Sequence, residues 1–193
     1  LICGDSFAVD YTVVNKNDEG WSSMLANDFT ITNCAQAGIS EYKILKQLER
    51  QNLHNYNVII VAHTSPYRVH IKSNPMHLTS PLHKNADLIY NDVISHYNNN
   101  PNDNILKTAK DYFEHIFDDE YYQDVYYLIV EKIKKLTQDH KCLHLLPMFD
   151  QGIDLQPCIN LKKLFKFKPG LPNHYSHKDN IQIYHLVRNW IES

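Results

Sequence analysis

The chain opens with a short apolar run, Leu1–Cys3, that leads directly into the tetrapeptide Gly-Asp-Ser-Phe at Gly4–Phe7. Strands of parallel sheets are covered on both faces, so an unbroken apolar run that ends in a turn is typical of them. In open α/β sheets, the side chains that do chemistry follow the carboxyl ends of the strands. The sequence therefore predicts that Ser6 lies at the functional edge of a parallel sheet, on a turn between a strand and a helix.

The rest of the chain alternates strand-like and helix-like segments. Continuously apolar or β-branched runs predict strands at 1–4, 29–34, 57–62 and 141–146. Apolar residues at helical spacing predict helices at 20–27, 40–52, 85–97, 105–138 (broken near 118–119) and 179–191. This order predicts an α/β fold, namely a three-layer α/β/α sandwich with a mostly parallel, flavodoxin-like sheet of four to five strands. Right-handed crossovers would then bring the carboxyl ends of all the strands to one edge.

Length and composition narrow the class of protein. The length of 193 residues predicts one domain, and the net charge of −3 predicts no strong attraction to nucleic acid or to an anionic membrane. No apolar run approaches the roughly 20 residues of a membrane span. The four cysteines form no CxxC pair, so we expect reduced core thiols, which slightly favours a cytoplasmic location. The chain begins inside a predicted strand, which leaves open a truncated amino terminus and a removed signal peptide.

Residues 64–103 interrupt the alternation of strands and helices. This stretch holds four prolines and an asparagine-rich run, 98–102, so we expect an irregular insertion that carries one helix. Long insertions of this kind are more often functional than part of the rigid core. Its role as a lid or as an interface stays open, and so does the oligomeric state of the chain.

Nucleophilic catalysis by a serine needs a base within hydrogen-bond reach, donors for the developing oxyanion and a group that orients the base. His174, near the far end of the chain, is the candidate base for Ser6. Backbone amides at Gly38 and at Ser6 itself are the candidate donors. We expect Asp5 to order the turn rather than to act as an acid catalyst.

Three segments resemble motif blocks of the SGNH or GDSL-type serine hydrolases. Gly4–Ala8 is similar to that family's first block, whose serine is the nucleophile. Asn33–Gly38 is similar to the second block, whose glycine amide contributes to the oxyanion hole. Asn173–Tyr184 is similar to the last block, in which a histidine and a small polar residue precede the carboxy-terminal helix. The set is more specific than the tripeptide Gly-Asp-Ser alone.

The resemblance covers residues 1–68 and 170–192, and the middle of the chain matches no block of the family. It implies an esterase with Ser6 as the nucleophile and His174 as the base. It also implies that the amide of Gly38 helps to bind the oxyanion.

Two positions depart from the pattern of that family. Ser65 stands where the third block usually carries an asparagine that donates to the oxyanion, and Thr64, Ser65 or Arg68 could supply the missing donor. Leu171 stands where the last block usually places an aspartate that orients the histidine. Asn173 adjoins the histidine but is no carboxylate. A backbone carbonyl or an acid from elsewhere would then have to orient the base, although a Ser-His dyad remains chemically workable.

Twelve histidines raise the question of a metal site. His140 and His144 share a face of a predicted strand, and His70, His77 and His83 line the insertion. Neither set has the spacing or the acidic partners of a known site, so we expect no metal and no other cofactor.

The predicted function is the hydrolysis of small acyl esters, such as O-acetyl groups on carbohydrate or lipid-like esters. The first alternative is a catalytically weak relative of the same fold that binds a glycan or a protein partner. A nucleotide or phosphate binder is the second alternative. It is disfavoured because Asp5 would place a negative charge beside the phosphate.

Overall fold

Four strands form one all-parallel sheet in the order β1-β2-β3-β4 in the computed structural model, which describes residues 1–72, 74, 76–77, 80–147 and 154–193. The strands are β1 (Ile2–Gly4), β2 (Ile59–Ala62), β3 (Cys142–Leu145) and β4 (Cys158–Ile159). The α-helices are α1 (Trp21–Met24), α2 (Glu41–Glu49), α3 (Tyr90–Asn99), α4 (Asn104–His115), α5 (Asp119–Thr137), α6 (Leu161–Leu164) and α7 (His177–Glu192). The predicted α/β fold with a parallel sheet is confirmed.

The strand ends lie level at one edge of the sheet. Gly4 pairs with Ala62, and Ala62 pairs with Leu145, so three strands end in the same row. Asp5 and His63 are therefore the first residues beyond neighbouring strands. This register brings the turn after β1 next to the loop after β2, as the right-handed crossovers predict.

Successive residues of each strand point to opposite faces of the sheet, and both faces are covered. One apolar cluster joins strand residues to α1 and α7 and contains Ile2, Ile60, Leu143, Trp21, Ile183 and Val187. The other joins strand residues to α2 and α5 and contains Cys3, Val61, Cys142, Ile44, Leu48 and Ile133. Helices thus pack on both sides of a sheet whose strands are apolar except at His144 of β3, which is why the strands show no regular polar alternation.

The strand predicted at 29–34 is wrong. Its contact with β1 is a single parallel bridge between Asn33 and Ile2, in which the Ile2 amide donates to the Thr32 carbonyl and the Cys34 amide donates to the Ile2 carbonyl. The ladder stops there because the Asn33 side chain turns inward, donating to the Ala8 carbonyl and accepting from the Ala35 amide. The two-residue strand β4 was not predicted, since so short a run carries no pattern of its own.

The helices follow the predictions more closely. The long segment at 105–138 breaks as expected, because Asp118 caps α5 by accepting from the amides of Glu120 and Tyr121. The helix expected at 85–97 within the insertion is α3. The stretch 150–172, between the last predicted strand and the closing helix, carries β4 and α6, and its first four residues lie outside the described part of the chain. No helix in the described part of the chain has the length and apolar character needed to span a membrane.

Gln47 of α2 fastens the end of β1. Its side-chain oxygen accepts from the Gly4 amide at 2.8 Å, and its nitrogen donates to the Gly4 carbonyl at 3.2 Å. A Cβ at Gly4 would lie 2.8 Å from the Ala62 Cβ, so the two strands approach more closely there than a side chain allows. Gly4 is therefore held in position by hydrogen bonds to its amide and its carbonyl, and the close approach of β2 requires a glycine there.

Replacing Gln47 by Leu should lower the free energy of unfolding by about 1–3 kcal/mol, because the buried Gly4 amide loses its acceptor. Chemical denaturation measures the loss. The control is Gln182→Leu at an exposed position of α7, which should change stability far less. Equal losses in the two variants would contradict this role of Gln47.

Candidate active site

Ser6 and His174 lie in hydrogen-bond contact although 168 positions separate them in the sequence. Ser6 sits on the turn after β1, and His174 ends a short 3₁₀ turn, Pro172–His174, just before α7. The Nε2 atom of His174 is 2.7 Å from the Ser6 Oγ. Ser6 is only 4% exposed. The structure thus brings the predicted nucleophile and the predicted base together at the carboxyl edge of the sheet.

The turn that carries His174 has left-handed backbone geometry at two residues that are not glycine. Asn173 has φ +49° and His174 has φ +63°. Such conformations cost free energy and persist only where surrounding contacts impose them. The buried side chain of Asn173 supplies those contacts, because its Nδ2 donates to the carbonyls of Ser6 at 3.3 Å and Val9 at 2.9 Å. Asn173 therefore ties the turn of the base to the turn of the nucleophile.

Aromatic rings, rather than a carboxylate, flank the imidazole of His174. The ring of Phe7 lies 4.8 Å from it and the ring of Phe167 lies 4.9 Å from it, centre to centre, with Phe167 stacked. The Nδ1 atom of His174 is buried and makes no hydrogen bond to any described residue. Leu171, where the resemblance expects an aspartate, accepts from the His174 backbone amide at 2.8 Å. Packing thus orients the ring.

Burial is the main reason that the pKa of His174 is lowered, to about 4. The positive charge of Arg68 and the neighbouring His83 lower this pKa further. An imidazole with this pKa is neutral at physiological pH and can accept a proton from Ser6. Its weak basicity limits how far that transfer is favoured.

Asp5 is fully buried, and its carboxylate holds the turn that presents Ser6. One oxygen accepts from the Phe7 amide at 3.0 Å, and the other accepts from the Thr64 hydroxyl at 2.5 Å. Burial raises the pKa of Asp5 to about 6, although Arg68 and these hydrogen bonds act in the opposite direction. Asp5 has no contact with the imidazole in this arrangement and orders backbone amides instead.

Two backbone amides are available as oxyanion donors. Within the described chain, neither the Ser6 amide nor the Gly38 amide donates a hydrogen bond. Gly38 has φ +75°, and a Cβ there would lie 2.9 Å from the Ala86 Cβ, so the position requires glycine. Its amide therefore belongs to a turn that a larger residue would deform.

The three candidates for the missing side-chain donor are placed differently. Arg68 donates to the Gly38 carbonyl at 3.1 Å and to the Thr64 hydroxyl at 3.3 Å, so its guanidinium lies beside the turn at Gly38. The Thr64 hydroxyl is committed to Asp5. The Ser65 hydroxyl accepts from the Tyr67 amide at 3.2 Å. Of the three, Arg68 is thus the one that contacts the turn at Gly38.

A buried chain of polar side chains behind the site was missed in the sequence. Glu41 contacts His63 (Oε1 to Nδ1, 2.7 Å), and His63 contacts His144 (Nε2 to Nδ1, 2.9 Å). All three are at most 3% exposed. The available signal was a histidine inside the apolar strand Cys142–Leu145 and another directly after Ala62, because buried polar groups in strands need partners.

Three side chains on α4 lie close enough together to bind one metal ion, and they form the one such group found in the described part of the chain. Side-chain atoms of Asp111, Glu114 and His115 lie within 4.8 Å of one another. Lys107 pairs with Asp111 and Lys110 pairs with Glu114 on the same helix, so the two carboxylates already have cationic partners. These residues could hold an ion only by giving up those pairs.

No family model, no curated protein and no solved structure matches this chain. The Ser6–His174 contact and the motifs around it are therefore the features that bear on the function of the chain.

The packing of His174 predicts an unusual titration. Its imidazole should be half protonated near pH 4 in an NMR titration, with the resonance assigned by loss in His174→Gln. Phe167→Ala should admit water and raise this pKa towards the ordinary value of 6.5, because burial is the main cause of the shift. Phe165→Ala is the control, since that ring packs on Tyr175 instead. A wild-type midpoint near 6.5 would refute the prediction.

Proposed function

We propose that this chain is a serine esterase that hydrolyses small acyl esters, such as O-acetyl groups on carbohydrate. The observation that carries the proposal is the 2.7 Å contact between the Ser6 Oγ and the His174 Nε2. A hydroxyl and a neutral imidazole at this distance form a nucleophile and a general base in position. The contact joins the first and last segments of the chain, as the family resemblance requires.

Catalysis proceeds through an acyl-enzyme. His174 Nε2 takes the Ser6 proton while the Ser6 Oγ attacks the ester carbonyl carbon, and the carbonyl oxygen becomes an oxyanion. The intermediate collapses, the ester C–O bond breaks, and His174 returns the proton to the leaving alkoxide. A water molecule, deprotonated by His174, then attacks the acyl-Ser6 carbonyl. The bond between the Ser6 Oγ and the acyl carbon breaks, His174 returns the proton to the Ser6 Oγ, and the carboxylic acid leaves.

The amides of Ser6 and Gly38 bind the oxyanion in this proposal, and Arg68 supplies positive charge beside them. Two backbone donors and a guanidinium replace the family's usual arrangement of two amides and an asparagine. Removal of one oxyanion donor typically costs about 10²–10³ in kcat. Arg68 also donates to the Gly38 carbonyl, so it stabilises the turn at Gly38 in addition to supplying positive charge.

The burial of Ser6 and the rings of Phe7 and Phe167 beside His174 favour a short acyl group. A cavity of about 200 Å³ lies along the second motif block and is lined by Val9, Asp10, Asn33, Ala35, Ala37 and Leu82 among others. Neither Ser6 nor His174 lines this cavity, so the choice of a small ester rests on the burial of Ser6 and the rings beside His174.

A glycan- or protein-binding relative with little activity is the second candidate function. The specific observation in its favour is that the His174 Nδ1 has no hydrogen-bond partner among the described residues. An imidazole that no acceptor orients, with a pKa near 4, is a weak base. This candidate shares the fold and the same residues but expects no covalent chemistry at Ser6.

Ser6→Ala and His174→Ala should each lower p-nitrophenyl acetate hydrolysis by about 10³-fold or more, because both residues act on the same proton transfer. A fluorophosphonate probe should label the wild type at Ser6 but leave Ser6→Ala unlabelled. Ser95→Ala, at an exposed serine of α3, is the matched control and should keep the wild-type rate and labelling. A wild type that neither hydrolyses the ester nor reacts with the probe would favour the binding protein.

A further inference from the structure

The buried chain of Glu41, His63 and His144 continues to the thiol of Cys142, whose Sγ lies 3.7 Å from the His144 Nε2. Glu41 uses both carboxylate oxygens, because its Oε2 also accepts from the Thr64 amide at 3.0 Å. Glu41 stands at the start of α2, His63 and Thr64 follow β2, and His144 and Cys142 belong to β3. Three elements are thus joined by one continuous hydrogen-bond path within the core.

With Glu41 ionised and both rings neutral, the protons of this chain have one self-consistent arrangement. Burial raises the pKa of Cys142 to about 11, so its thiol keeps the proton and donates to the His144 Nε2. Burial and the neighbouring His63 lower the pKa of His144 to about 3, so that ring is neutral and carries its proton on Nδ1. His144 Nδ1–H then donates to the His63 Nε2, and His63 Nδ1–H donates to Glu41. Every link has one donor and one acceptor.

The chain reaches the Ser6 turn through Thr64. The Thr64 amide is held by Glu41, its hydroxyl donates to Asp5, and the other oxygen of Asp5 accepts from the Phe7 amide. Phe7 follows the nucleophile directly. A displacement of Thr64 therefore changes the support of the turn that aims the Ser6 hydroxyl, although Glu41 does not touch Ser6.

We propose that Glu41 is a positioning residue for Ser6, and that the histidine pair His63–His144 fixes the Glu41 carboxylate in the orientation that holds Thr64. The proposal rests on the esterase function only for its kinetic consequence, since the structural path can be measured without substrate. Interaction energy in a buried polar network of this kind depends on every member being satisfied, so breaking one link affects the others.

The first test determines which ring nitrogen of His63 and of His144 carries the proton, and it requires no catalysis. Long-range nitrogen–proton NMR of the wild type should find both His63 and His144 protonated on Nδ1 and not on Nε2. In Glu41→Gln, the amide nitrogen can only donate to His63, so both rings should switch to Nε2 protonation while the Gln oxygen keeps the Thr64 amide. A wild-type His63 without a proton on Nδ1 would leave the Glu41 carboxylate without its donor and would overturn the role assigned to the histidine pair.

The second test reads the path to Ser6. Thr64→Val removes the donor to Asp5, so hydrogen exchange at the Phe7 amide should accelerate at least tenfold relative to the core amide of Val61, which reports global opening. Thr64→Ser keeps a hydroxyl and should restore most of the protection. Protection at Phe7 that is unchanged in Thr64→Val would overturn the path, whatever the esterase assays show.

The third test links the path to catalysis. Glu41→Leu, which loses the acceptor of the Thr64 amide, and Thr64→Val should each lower kcat about 10–100-fold with KM changed less than about threefold, because a nucleophile displaced by a fraction of an ångström binds substrate but reacts slowly. Glu41→Gln keeps the Thr64 contact and should stay near the wild-type rate. The double variant should be no slower than the slower single variant, since both act through one path. Additive losses would contradict the shared path.

The matched control is Glu49→Gln on the same helix, where the carboxylate pairs with Lys46 and Lys132 at the surface. It should leave kcat and the histidine tautomers unchanged. Failure of the proposed function is recognised separately: Ser6→Ala would then equal the wild type in rate, while the tautomer and exchange measurements would still decide the role of Glu41.

Discussion

The turn from Gly4 to Val9 is held by hydrogen bonds to each of its carbonyl oxygens, and the candidate site depends on this constraint. Most of the donors are side chains from distant segments rather than a ladder of backbone amides. The side-chain donors are Gln47 to Gly4, Asn173 and Tyr11 to Ser6, Trp21 to Phe7, Asn33 to Ala8, and Asn173 and Ser22 to Val9. A turn satisfied in this way has few alternative conformations, because any shift strands a buried carbonyl. The Ser6 hydroxyl is therefore positioned by the whole fold.

The sequence predicted the elements that have a strong local signal. The apolar strands β1, β2 and β3, the break before α5 and the closing helix α7 follow from hydrophobic pattern and capping. The segment at 29–34 has the same β-branched pattern, but its Asn33 side chain serves the Ser6 turn, and tertiary contacts override strand propensity there. β4 forms because it pairs with β3, and its two residues are too few to show a strand pattern in the sequence.

The predictability of the site follows the same division. Ser6, Gly38 and His174 were predicted as site residues because each occupies a motif whose spacing is visible in the sequence, and the structure brings Ser6 and His174 into contact. The chain from Glu41 to His144 was missed because Glu41 resembles an ordinary first-turn acid of a helix, and a histidine in an apolar strand does not identify its partner. The stacking of Phe167 on His174 has no sequence signature, because Phe167 lies in an irregular segment whose conformation local sequence patterns do not predict. Long-range polar pairing is the information that a single sequence lacks.

In the proposed esterase, the charges around Ser6 give Arg68 a role beside a base that is neutral. Asp5 and Glu41 lie on either side of Thr64, and the charge of Glu41 contributes to the raised pKa of Asp5. Two carboxylates near a developing oxyanion would oppose it, whereas the guanidinium of Arg68, fixed to Thr64 and Gly38, offsets them at the point where negative charge would form. The same positive charge lowers the pKa of His174, so support of the oxyanion and strength of the base are opposed through one residue. A carboxylate beside the imidazole would raise the pKa of His174 and so offset the effect of Arg68. The rings of Phe7 and Phe167 orient the imidazole but do not raise its pKa. The arrangement therefore orients the imidazole while leaving it a weak base.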